Sequence, residues 1–187
     1  MQIKLVTLLF LFTAISLEAE PAGTGLQISA AGDLVGGFGG TGENRLDARE
    51  AEILFYAPID HLFNGNLSLA AHDEEGEVAF ELHELYFGST KLIPRSRFRL
   101  GQFFLGISRL NQFHRHDWPF TSTPKVQKEF LDEEGVNDSG LEYSYLLPTP
   151  YFLDLTVGVT NGWKFGHAHG KGTKPNAATH YARLATY

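Results

Sequence analysis

The chain has 187 residues, with 15 Lys plus Arg against 22 Asp plus Glu and a formal net charge of −7, a balance that excludes a basic nucleic-acid-binding surface. With no cysteine, it holds neither a disulfide framework nor a lipid-modified N-terminal Cys. Twenty glycines and 13% aromatics point towards β structure, because Phe, Tyr and β-branched residues suit strands and Gly suits their bends.

The N-terminus carries Lys4, an apolar run over residues 5–15 and then Ser16-Leu17-Glu18-Ala19, the pattern of a secretory signal peptide cut after Ala19. This predicts a signal over residues 1–19 and a mature chain that begins at Glu20. The run is shorter than the roughly 18 apolar residues that a spanning helix needs, and no later run reaches that length. The segment holds one lysine and one glutamate, so its loss leaves the charge unchanged.

Strand-like alternation follows. Leu26, Ile28, Ala30, Gly32 and Leu34 oppose Gln27, Ser29, Ala31 and Asp33; Leu67, Leu69 and Ala71 oppose Ser68, Ala70 and His72. Leu141, Tyr143, Tyr145 and Leu147 oppose Glu142 and Ser144, and Tyr151, Leu153, Leu155, Val157 and Val159 oppose Asp154, Thr156, Gly158 and Thr160. Less regular strands fit residues 49–56, 77–87 and 97–107, where Glu84 and the pair Phe103-Phe104 break phase in the manner of bulges. An eighth strand, over residues 179–187, is weakly patterned, and no segment sustains a helical period. Turn residues punctuate the breaks: Gly39-Gly40-Thr41-Gly42, residues 58–66, Asp73-Glu74-Glu75-Gly76, residues 92–95 and Pro148-Thr149-Pro150.

A soluble sandwich also alternates, so loop parity separates the readings. If the first strand leaves the periplasm, the turns over 58–66, 91–96 and 148–150 are periplasmic, and the two longest connections, 109–138 and 161–178, both face outside. That asymmetry predicts an antiparallel transmembrane β-barrel over residues 20–187 with about eight strands visible, in the cell outer membrane and surrounded by its lipid. Phe55, Tyr56, Tyr86, Phe87, Phe98, Tyr145, Tyr151 and Phe152 lie beside the inner turns, where an aromatic girdle belongs. Eight strands closed on themselves would have an interior filled by side chains, so a conducting pore needs more strands.

The segment Arg99-Leu100-Gly101-Gln102-Phe103-Phe104, followed by Arg109-Leu110-Asn111 and His114-Arg115-His116-Asp117-Trp118-Pro119-Phe120, resembles a porin-like family of Gram-negative outer-membrane proteins. Some of its members are labelled zinc-regulated TonB-dependent outer membrane receptors. Glu133-Glu134-Gly135, Asn137-Asp138, Gly140-Leu141-Glu142, Asn161-Gly162-Trp163 and Gly166-His167-Ala168-His169 extend the resemblance over most of the mature chain. Members are much longer, so the resemblance implies the N-terminal portion of a larger barrel. TonB coupling is not supported, because residues 20–25 leave no room for a folded plug before the first strand.

By the strand register the inward positions include Asp33, Glu50, Glu52, His72, Glu77, Glu81, His83, Arg97, Arg99, Glu142 and Asp154, an acidic excess that would favour cations in a lumen. The alternative is that these groups pair with one another and fill space. The outer loops hold His114-x-His116-Asp117 and His167-x-His169, and in extended backbone two residues apart project to one side, so each pair could present two imidazoles to one ion. Imidazole with carboxylate suits zinc. The competing reading is ordinary loop histidines, with Trp118 and Pro119 packing the loop into the barrel mouth. No Gly-x-Ser-x-Gly or comparable nucleophile setting surrounds Ser144, so the chain does not read as an enzyme. The expected function is a porin-like barrel that passes or captures small solutes, divalent metal ions such as zinc among them. A non-conducting barrel whose long surface loops bind a partner is the alternative.

Overall fold

A computed structural model describes residues 25–37, 45–74, 77–131, 134–162 and 177–186. The signal segment, the start at Glu20, the Gly39-Gly40-Thr41-Gly42 turn, Trp163, His167, His169 and Tyr187 lie outside the described residues. Eight strands form one antiparallel sheet in simple sequence order: β1 (Gln27–Gly37), β2 (Arg45–Pro58), β3 (Asn64–Glu74), β4 (Glu77–Ser89), β5 (Ser96–Phe104), β6 (Asn137–Leu146), β7 (Leu153–Thr160) and β8 (Thr179–Thr186). Among the described residues, strands β1 and β8 are paired on one side only, so the sheet is open and is not closed into a barrel. No described helix is long and apolar enough to cross a membrane.

A period-two sequence on a sheet sorts its side chains onto two faces, and here the apolar face is the open one and the polar face the covered one. Ile53 pairs with Leu69, Leu69 with Leu82, Leu67 with Leu85, and Phe87 with Leu100. Leu100 pairs in turn with Leu141, Leu141 with Val159, and Leu155 with Leu184. These side chains build one apolar face across the sheet, and it is open: Phe80 is 82% exposed and Leu184 61%. The other face carries the polar residues and is covered. Glu50, Glu52, Ser68, His72, His83, Glu142, Ser144 and Thr156 are all buried, Glu52 and Glu142 to 1% exposure. Leu155 and Thr156, neighbours in β7, fall on opposite sides as their alternation requires, with Thr156 fully buried.

Two register shifts tune this pattern. On β4 the ladder to β3 passes from Leu69 opposite Leu82 to Ser68 opposite Glu84, leaving His83 as the extra residue. The bulge predicted from the phase break at Glu84 is therefore real, and it places two consecutive polar side chains on the polar face. On β2 the pairing jumps from Asp33 opposite Glu50 to Leu34 opposite Ala48, with Arg49 as the extra residue. The Phe103-Phe104 break is not a bulge. β5 stays in register with β6 through Phe104 opposite Asn137, but its pairing with β4 stops at Gln102, and both rings are buried where the strand departs. Tyr86 also departs from expectation: it lies on the polar side, half-buried, with the Arg99 guanidinium 5.5 Å from its ring centroid, so it is not part of an outer aromatic girdle.

The turns over 59–63, 90–95 and 147–152 share one end of the sheet, as a meander dictates. The first is tied by Asp60, whose carboxylate accepts the Leu62 and Phe63 N–H groups, each at 2.7 Å. In the second, Arg95 adopts φ 67°, and its guanidinium donates to the Leu146 and Leu147 carbonyls. The long connection over 105–136 leaves the opposite end and folds back over the polar face. It contains two 3-10 turns, Leu110–Gln112 and Arg115–Asp117, and a helix, α1 (Lys125–Leu131), where no helical period is legible; seven residues are too few to display one. Its root is a small apolar core of Phe103, Leu105 and Val136. There the fully buried Asn111 donates to the Leu105 and Val136 carbonyls and accepts the Val136 N–H. Gly135, at φ 98°, sits where a side chain would collide with the Asn111 amide.

Candidate functional site

Glu52 is the centre of the buried polar cluster. β2 presents it, β3 brings Ser68, whose hydroxyl donates to the same carboxylate, and the β4 bulge brings His83, whose Nδ1 is 3.3 Å from Glu52 Oε1. From the opposite side the folded-back connection supplies two more imidazoles. His114 Nδ1 lies 2.8 Å from Glu52 Oε1, and His116 Nε2 lies 2.6 Å from Glu52 Oε2. The far nitrogen of each ring is held by a second carboxylate: His114 Nε2 is 3.3 Å from Glu84 Oε2, and His116 Nδ1 is 3.3 Å from Asp117 Oδ1. One carboxylate is thus faced by three imidazoles.

The segment is delivered there by its own local structure. Trp118 is buried, and its indole N–H donates to the Leu110 and Phe113 carbonyls, closing the two 3-10 turns against each other. Arg49, the extra residue of the β2 bulge, pairs with Asp33 and donates to the Thr121 carbonyl at 2.6 Å, pinning the connection to the sheet. Arg115 reaches Glu134 at 3.3 Å.

Electrostatics in the metal-free chain favour charged rings. Burial lowers the His114 pKa, but hydrogen bonding to Glu52 and Glu84 outweighs it and lifts the value to about 9. Burial likewise opposes charge on His116, and its contacts with Asp117 and Glu52 push it up to about 10. Asp117, hydrogen-bonded to His116, is held below the usual carboxylate range.

Three overlapping ligand sets run through this region: Glu52 with His114 and His116, Glu50 with Glu52 and His83, and His72 with His83 and Glu134. Within each set the candidate donor atoms lie within 4.8 Å of one another. His72 and His83 approach through their Nε2 atoms at 3.0 Å, and Glu81 lies 3.8 Å from His72.

Of the residues expected to face inward, Glu50, Glu52, His72, Glu81 and His83 therefore converge with His114 and His116. Arg97, Arg99 and Glu142 form a neighbouring group, linked to the first through Glu84, which lies 3.9 Å from Arg99. Arg99 donates to Glu142 at 2.6 Å, Tyr181 OH donates to the same carboxylate at 2.7 Å, and the Gly106 N–H reaches it at 2.8 Å, while Arg97 is the most exposed member. Asp33 is spent on Arg49, and Asp154 accepts from Thr156. Asp117 orients His116 rather than facing Glu52, and His167 and His169 lie outside the described residues. Sequence reasoning placed Glu52 on the inward face and read Glu84 only as a break in strand phase, and it missed their meeting with His114 and His116. The phase break at Glu84 was the available signal.

Several residues of the motifs singled out in the sequence have structural work here. Asn111 and Gly135 build the root of the connection, and Asp138 accepts the Gly162 N–H at 2.8 Å. The chain is 32% identical over 113 residues to an uncharacterized protein of Aquifex aeolicus (strain VF5), a match covering 60% of this chain and 23% of that one. The matched region is thus less than a quarter of the relative's length. No family model matches the sequence, and no solved structure matches it significantly.

Proposed function

We propose that the chain forms wall strands of a porin-like outer-membrane β-barrel that passes or captures small solutes, divalent metal ions among them. The observation that carries this reading is the inverted sheet: Leu, Ile, Val and Phe side chains open on one face, and carboxylates and imidazoles covered on the other. In water the apolar face would forfeit roughly 25 cal/mol for each Å² left exposed. Against hydrocarbon that penalty vanishes, and every strand still satisfies its backbone through its neighbours.

The open edges of β1 and β8 favour a wall belonging to more strands over a barrel closed at eight, because hydrocarbon offers no partner to an unpaired edge. The connection over 105–136, lying on the polar face, would narrow the lumen of such a barrel and place its imidazoles there. Flotation tests the reading: the chain refolded with phosphatidylcholine vesicles should float with them through a density gradient and resist extraction by carbonate. A monodisperse chain that stays in the aqueous fraction without detergent would refute it.

A further inference from the structure

We propose that Glu52, His114 and His116 bind a divalent transition-metal ion of the zinc type, with Glu50 and His83 forming an adjoining ligand set that shares Glu52. The proposal rests on the reading of the polar face as a solute-facing wall, and it names what that wall captures. The donor chemistry is two imidazoles, each releasing a proton as the ion binds, and one carboxylate, a combination that suits zinc and its neighbours over magnesium or calcium, which take oxygen ligands. To reach the roughly 3.4 Å separations found around tetrahedral zinc, the Glu52–imidazole contacts at 2.8 and 2.6 Å open by under about 1 Å as the ion enters, and no pair of donor atoms, all within 4.8 Å, closes by more than about 1.4 Å.

Two further observations point to a ligand rather than to an ordinary salt-bridge cluster. The first is the state of the outer nitrogens. Each imidazole turns one nitrogen towards Glu52 and has the other beside a different carboxylate, Glu84 for His114 and Asp117 for His116. Such outer carboxylates fix the ring orientation and raise the basicity of a metal-binding histidine. The second is Glu50. It is 4% exposed, neither carboxylate oxygen has a hydrogen-bond partner, and it shares a ligand set with Glu52 and His83. A buried carboxylate without a donor is costly unless a cation compensates it. A metal ion beside Glu52 would supply that charge.

The test is a cobalt(II) titration of the full chain refolded in detergent micelles, followed by displacement with zinc. Visible d–d absorption reports nitrogen and oxygen ligation directly, which a merely structural role for the histidines would not produce. The expected result is saturable cobalt binding that zinc reverses. Glu52→Gln and His116→Ala should each weaken it by more than about 100-fold, and Glu84→Gln, Asp117→Asn and Glu50→Gln by about 10- to 100-fold. His180→Ala, on the apolar face opposite Val159, should leave binding unchanged. Circular dichroism establishes that each variant is folded, and His116→Ala, in the connection rather than the sheet, keeps the test open if Glu52→Gln does not fold. A wild-type chain that shows no cobalt spectrum, or equal binding by His116→Ala, overturns the proposal. Flotation of the same samples distinguishes this from failure of the barrel reading, since metal binding can be lost while vesicle association persists.

Discussion

Replacing Ile53 by arginine asks what medium the apolar face meets. Ile53 sits in mid-strand on β2, between Ala30 of β1 and Leu69 of β3, and is 47% exposed. A longer side chain there has room, so no overpacking obscures the result. Facing water, Ile53→Arg belongs with ordinary surface substitutions and should change stability by about 0.5 kcal/mol or less. Facing hydrocarbon near the bilayer midplane, it should cost about 2 to 4 kcal/mol. Tyr151→Arg is the companion: Tyr151 lies in the turn at the sheet end and is 76% exposed, a position where the cost of a charge should fall to about 0 to 1 kcal/mol. Urea-titrated folding into short-chain phosphatidylcholine vesicles, followed by tryptophan fluorescence, measures both. A large cost at Ile53 with a small one at Tyr151 is the expected outcome. Near-zero costs at both positions would refute the argument.

Three other outcomes follow from particular contacts. Asn111→Ala removes the side chain that satisfies the Leu105 and Val136 carbonyls and the Val136 N–H, and should destabilise the root of the connection by about 1 to 3 kcal/mol, read as faster amide exchange over residues 105–136 with the sheet protected. Glu142→Leu leaves the half-buried Arg99 without its closest partner and should cost about 3 to 5 kcal/mol by denaturation, whereas Arg97→Ala, at the exposed rim of the same group, should cost under about 1 kcal/mol. The pH dependence of the metal-free chain has a definite sign. His114 and His116 are raised from 6.5 to about 9 and about 10, so their attachment to Glu52 contributes fully below 6.5 and is lost as pH rises through 9 to 10. Proteolysis within residues 105–136 should accelerate progressively in chelator-treated protein as pH rises from about 6.5 to about 10, and a rate that stays flat across that window would contradict the assignment.

The strands were legible because a sheet with one polar and one apolar face writes its period directly into the sequence, and β7 shows it without interruption. The Glu84 bulge was legible for the same reason, as a break in that period. Phe103-Phe104 gave a similar signal with a different cause, since two adjacent apolar residues also occur where a strand leaves one neighbour and buries both rings at the root of a loop. The ends of β6 were not legible. The alternation is legible only from Leu141, and the long connection reads as running to Asp138, yet the strand begins at Asn137, because Gly140 can lie against the Val159 carbonyl and Asp138 accepts the Ser139 and Gly162 N–H groups. The pairing of Glu52 with His114 and His116 was out of reach because no local pattern connects residues that distant. It depends on Asn111, Trp118 and Arg49 folding the connection inwards.

The central claim is that the apolar face meets lipid while the polar face does not. Because the chain has no cysteine, single cysteines can be introduced along β7 and spin-labelled without background. Accessibility to oxygen and to a water-soluble nickel chelate is then measured by electron paramagnetic resonance in vesicles. The account predicts alternation along β7, with labels at 155, 157 and 159 rich in oxygen and shielded from nickel, and labels at 154 and 156, on the covered polar face, poor in oxygen. Labels at 155, 157 and 159 that are freely relaxed by the nickel chelate would contradict it.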